Sequence, residues 1–201
     1  MKTQASISPS LVFIIIVALV GGLLILQYNS IVSCEKIVEE AAAQIEVVCQ
    51  RRLDLIPNLI STVKGYAGYE RSTLEAIVRA RNEAQAALDQ FGSGGGLTKE
   101  NMMALAASQS QLTTGLKSLW ALVENYPDLK ANTNFLLLQD QLEGTENRIS
   151  IARQRHNQTV RLLNTKINVF PGNIVAVAFG FEDKAYYEAP QEAMSPVKVD
   201  F

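Results

Sequence analysis

Chemistry in this chain would have to start from a single histidine. His156 stands in the run Arg153-Gln154-Arg155-His156-Asn157. Imidazole titrates near neutral pH, but acid-base work needs a group that orients the ring, and a metal site needs further Cys, His, Asp or Glu at ligand spacing. Neither accompanies it, so His156 reads as a solvated or hydrogen-bonded structural residue. The Arg51-Arg52-x-Asp54 cluster before Pro57 is the second candidate. Paired guanidiniums can hold an anion; the same grouping also serves as an ion pair or carbonyl contact beside a proline-interrupted helix. Gly92-Ser93-Gly94-Gly95-Gly96 lacks the Lys-Ser/Thr that follows a phosphate-binding loop and the strand that precedes one. Cys34 and Cys49, placed on one helix, are about 22 Å apart, beyond disulfide reach, and read as small interface residues. No nucleophile is paired with a base. The expectation is a protein that is not an enzyme, with no catalytic residue, cofactor, metal or small-molecule substrate.

The elements that would position these residues begin with an anchor. No charge appears from Thr3 to Cys34, and Leu11 to Leu26 is an unbroken apolar run. A bilayer core of about 30 Å needs roughly 20 helical residues, which this window supplies. Gln27 to Ser30 offers no small-x-small cleavage site, so the segment reads as an uncleaved signal anchor with Tyr28 at the interface. Ile31-Val32-Ser33-Cys34 resembles a lipobox, but polar residues separate it from the apolar run. Lys2 and the amino terminus precede the span, and Lys36 follows it among four acids. That slight bias places the bulk of the chain outside the cytoplasm. A net charge of -2 gives no general pull toward nucleic acid.

Beyond the anchor (residues 1-27) the apolar spacing predicts an all-α chain, a bundle of long antiparallel helices over 28-170 followed by an apolar, then extended, tail over 171-201. Ile31, Cys34, Val38, Ala41, Ile45 and Val48 alternate spacings of three and four, one seam of a helix that continues to about residue 90 with a kink or break at Pro57. A second helix starts at the N-cap Thr98 and ends at Tyr126-Pro127-Asp128. A third starts at Asn132 or Thr133 and runs to Phe170-Pro171-Gly172. On these bounds the second helix, about 43 Å long, cannot cover a first helix of about 95 Å. The Ile31 to Val48 seam must then be covered by the third helix or tail, or by neighbouring copies, and a self-associating stalk is the preferred reading. Ala18 and Gly22 form a small-xxx-small pair that permits close approach of spans.

Two further surfaces stand out. From Asn147 to Phe181 there is no acid, while Arg148, Arg153, Arg155, Arg161 and Lys166 are basic. This reads as a solvated face, or as a surface for anionic lipid or an acidic neighbour. The run Ile174 to Phe181 reads as core folded over the helices, with insertion at a membrane interface or a neighbouring subunit as the alternative. At the end, Val199 and Phe201 could add as a strand to a PDZ-like partner.

The blocks QIEVVCQRRLDLIPNLISTVKGYAGYE (44-70), ARNEAQ (80-85), YPDLKANTNFLLLQDQLEGTENRISIARQRHNQTVRLLNTKINVFPGNIVAVAFGF (126-181) and YYEAPQEAMSPVKVDF (186-201) resemble the LemA family of bacterial membrane proteins over nearly the whole chain. The resemblance implies one N-terminal anchor in the bacterial inner membrane, an all-helical domain and no established catalytic activity. It also implies genetic neighbours among envelope proteins such as HtpX-type metalloproteases. Where the family commonly has aromatic residues, this chain has Ala43 and His156. The functional expectation is a membrane-held scaffold, a homo-oligomer in contact with lipid. The alternative is an adaptor that presents its helical surface or tail to an envelope protein.

Overall fold

The computed structural model describes residues 8–65, 71–92 and 97–188. Those residues are helical or irregular, with no strand among them. In chain order the helices are α1 (Pro9–Lys64), α2 (Arg71–Gly92), α3 (Lys99–Val123), α4 (Pro127–Lys130), α5 (Thr133–Asn168) and α6 (Gly172–Phe179). The helical bundle is present as expected, and the first helix includes a window long and apolar enough to cross a membrane. Val199, Phe201, Lys2 and Ser93 to Gly96 lie outside the described residues.

α1 is a single helix of 56 residues that passes Pro57 without a break. A proline in a helix interior costs about 3 kcal/mol. Leu53, Leu55, Ile56, Leu59 and Ile60 around it are all buried, and tertiary packing of this kind, more than intrinsic propensity, holds a helix. Ser61 and Thr62 donate hydroxyl hydrogen bonds of 2.9 Å to the carbonyls of Pro57 and Asn58. The helix ends after Lys64, capped by Gly65. The expected single helix to residue 90 is therefore two helices.

α2 returns along α1, bringing Gly92 against the Glu46 carboxylate. α3 then runs parallel to α1. Its N-cap Thr98 accepts from the Asn101 N–H as expected, and its start shares a cleft with Glu35, Val38 and Glu39. Gly115 lets α3 approach Ile77 of α2. Trp120 near its far end packs edge-on against Phe135 of α5, with centroids 5.5 Å apart.

α5 is capped by Asn132, which accepts from the Phe135 N–H at 3.0 Å. Its 36 residues make about 54 Å of helix, the same length as α1 from Tyr28 to Lys64. Cross-contacts fix the antiparallel register: Glu146 meets Arg52, Arg155 meets Glu40, and Lys166 meets Ser30. This corrects the expected oligomer seam. Ile31, Val38, Ala41, Ile45 and Val48 are buried within the chain and Cys34 is half-buried. Ile31 and Val38 form a membrane-proximal core with Val160, Leu163 and Ile167 of α5 and Val175 and Ala176 of α6. Ala42, Ile45 and Val48 belong to a larger core shared by α1, α2, α3 and α5.

The tail latches onto this frame. Gly180 adopts φ +74°, a left-handed conformation that glycine reaches without Cβ strain, and the Phe181 N–H donates to the Ala176 carbonyl at 3.0 Å. The chain then runs extended along α5, held by two asparagine side chains seven residues apart. Asn164 donates to the Lys184 carbonyl and accepts from its N–H, at 3.0 and 2.9 Å. Asn157 does the same for Tyr187, at 2.9 and 2.8 Å. Lys184 also bridges to Glu35 of α1 at 2.7 Å. The expected core contribution of the tail is met by Val175, Ala176 and Tyr187, all buried.

Candidate functional site

The largest polar constellation lies inside the bundle. Arg52 is 2% exposed, on the face of α1 that meets α3 and α5. Its Nη1 is 2.7 Å from Glu146 Oε2 and donates to Gln109 Oε1 at 3.3 Å, while Nη2 donates to Thr113 Oγ1 at 2.9 Å. The Thr113 hydroxyl in turn reaches the Gln109 carbonyl at 2.9 Å. One guanidinium therefore ties three helices together. Burial pulls the Arg52 pKa down, and the Glu146 charge opposes that. The carboxylate already occupies the position an external anion would need, so the ion-pair reading of this cluster holds and the anion-site reading does not. Arg51 is exposed, and Asp54 accepts from Gln50 on its own helix.

Cys49, Arg153 and Tyr187 lie close enough to Arg52 to act on its charge, and His156 is buried further along α5. Cys49 is fully buried, and burial pushes its thiol up to about 11, so it stays protonated and unreactive near neutral pH. Arg153 of α5 lies over the Tyr187 ring, 4.7 Å from its centroid, and burial raises the phenol pKa. His156 is fully buried, which corrects its expected solvation, and neither ring nitrogen finds a hydrogen-bond partner among the described residues. Burial lowers its pKa below the usual 6.5, with a smaller opposing effect from Asn157. No group of three or more potential metal ligands exists among the described residues.

The His156 shift has a pH consequence with a definite sign. The unfolded chain binds a proton near pH 6.5 that the folded chain refuses until lower pH, so stability is complete above that value and falls as pH drops through the window below it. Because the chain has one histidine, His156→Leu is expected to flatten the stability profile between pH 7 and about pH 5. Thermal unfolding of the full-length protein across that range is the check; an unchanged slope would assign it elsewhere.

The basic residues of α5 do not form one surface. Arg153 is spent on Tyr187, Arg155 reaches Glu40 at 3.4 Å, and Lys166 donates to Ser30 Oγ at 2.7 Å and contacts Cys34 Sγ at 3.1 Å. Arg148 and Arg161 are exposed. Lys166 therefore closes the membrane-proximal end of the bundle, and the lipobox-like segment lies inside a continuous helix beneath it. Ala18 and Gly22 are exposed on the anchor, and a Cβ added at Gly22 would meet nothing within 4 Å.

Two features escaped the sequence reading. The Arg52 partners come from α3 and α5, 57 to 94 residues away, and no local spacing announces them. The second is an outward face. Glu40 and Arg155 meet on the open side of the α1–α5 pair; Ile37 and Val47 lie three and seven residues from Glu40, and Ile151 and Leu162 four and seven from Arg155. Helical spacing puts all four exposed apolar side chains on that side.

Comparisons with known proteins place the sequence among related chains. The LemA family model matches residues 41–201. Magnetosome protein MamQ 2 of Paramagnetospirillum magneticum is 26% identical, covering 90% of this chain and 72% of its own. Magnetosome protein MamQ of Magnetospirillum gryphiswaldense is 24% identical over 87% of this chain and 69% of its own. Protein LemA of Metamycoplasma hominis is 23% identical, over 81% and 69%.

Proposed function

The chain belongs to the LemA family, and from that premise we propose that it is a non-enzymatic scaffold that self-associates on a bacterial inner membrane and organises or shapes the membrane around it. The coarser part is plain from the fold: a helical protein whose first helix is long and apolar enough to cross a bilayer, with none of that window buried in the bundle. The observation that carries the finer reading is the continuity of α1. The span and the bundle are one helix, so every copy stands at the same height and in the same orientation, and the face bearing Ile37, Val47, Ile151 and Leu162 meets its equivalent on a neighbour. This outer face takes the assembly role first expected of the buried seam. Ala18 and Gly22 extend the contact into the lipid. The bulk of the domain lies on the extracytoplasmic side. Two of the relatives described above are named magnetosome proteins.

Native mass measurement or particle imaging of gently extracted full-length protein is the test. A discrete homo-oligomer is expected, reduced to monomer by Val47→Lys combined with Leu162→Lys at unchanged helix content. A monomer that enlarges only when an envelope protein is added would overturn the scaffold and establish the adaptor instead.

A further inference from the structure

α6 carries one polar side chain, the exposed Asn173, and among the described residues only one of its faces is covered. No charged residue occurs from Val169 to Phe181. Gly172, Val175 and Ala176 turn inward onto α1 and α5. Ile174 and Val177, three apart on α6, are exposed on the other side, and Phe170 is exposed in the turn just before the helix. Val177 is 88% exposed and Phe170 78%. An apolar stripe this exposed does not rest against water.

The location of α6 names what covers it. Phe179 packs on Tyr28 with centroids 4.7 Å apart, and Phe181 on the same ring at 5.7 Å. Gly172 lies against the Gln27 side chain. α6 is thus pinned at residues 27 and 28, directly where the uncharged apolar run of the anchor ends. α6 is therefore beside the end of that run, in which Leu23 and Leu26 are also exposed. Tyr28, with an apolar ring and a polar tip, is suited to this boundary.

We propose that α6 and the preceding Phe170 insert into the interfacial layer of the same bilayer that α1 spans, giving the bundle a second membrane contact beside the anchor. The occupant of the exposed stripe is lipid rather than a second copy. This contact is independent of the outer α1–α5 face, since it requires no oligomer.

The chain has a single native tryptophan, Trp120, at the far end of the bundle, which serves as an internal control. Full-length protein carrying Phe170→Trp or Val177→Trp is reconstituted into vesicles containing lipids brominated at shallow acyl positions. Both sites are exposed, so the larger side chain displaces no core. The expected result is blue-shifted emission from the added tryptophan and quenching by about twofold or more, as for a side chain a few ångströms below the headgroups, with Trp120 in the wild-type protein unquenched. Emission of a water-exposed indole, or no added quenching, would overturn the proposal. So would a blue shift without bromolipid quenching that grows with protein-to-lipid ratio, the signature of a neighbouring copy on the stripe.

Discussion

Glu146→Ala is expected to lower the stability of the bundle by about 3 kcal/mol, whereas Arg52→Met should cost about 1 kcal/mol or less. The asymmetry follows from where each charge sits. Glu146 is 42% exposed, so when its partner is removed water takes over the carboxylate. Arg52 is enclosed, and without Glu146 its charge is left with only the neutral acceptors Gln109 and Thr113. Methionine fills much of the arginine volume with apolar atoms, and a buried ion pair exchanged for packed apolar groups is often nearly neutral. Thermal or denaturant unfolding of the reconstituted full-length protein separates the two variants. Equal losses would mean that the guanidinium acts through its bulk, and the electrostatic account of the three-helix tie would fail.

The second large effect is expected at Gly172. A Cβ there would collide with the Lys166 carbonyl oxygen and sit 2.8 Å from Gln27 Nε2. The first contact is with backbone, which no rotamer change relieves, so Gly172→Ala must push α6 off α5. Overpacking of this kind costs about 1–3 kcal/mol, and the upper end is expected because the Val175 and Ala176 contacts are lost with it. Gly144 is the control: it lies within α5 with nothing within 4 Å of an added Cβ. Gly144→Ala should therefore stabilise by up to about 1 kcal/mol through helix propensity alone. Opposite signs at the two glycines would confirm that close approach at Gly172, not backbone flexibility, is what the fold requires there.

The anchor, the caps Thr98 and Asn132 and the end of α5 before Pro171 were all legible, because each is written in neighbouring residues. The hairpin after Gly65 was not. Val63 and Leu74 are eleven residues apart, about three helical turns, so the apolar rhythm runs through the turn undisturbed. The sign that was present is Gly65 and Gly68, each weakening helix by about 1 kcal/mol relative to Ala. Pro57 drew the break instead, and packing on α1 overrode it. That error propagated: an overlong first helix left the Ile31 to Val48 seam without a partner, and an oligomer was called on to fill it. With the turn in its real place, α5 matches α1 in length and buries the seam. His156 was misplaced for a different reason. A polar side chain flanked by arginines looks solvated in one dimension, and only the α5 register turns it inward.

α1 has no joint between Leu11 in the lipid and Lys64 at the tip of the bundle. It is a lever with its short arm in the bilayer. The arm beyond Tyr28 is about 55 Å long, so a change of tilt of about 10° displaces the tip by about 10 Å. Spans tilt when the hydrocarbon layer thins or thickens around them. A rigid helix of this length would turn such a change into a sideways displacement of its far end larger than the change in thickness itself.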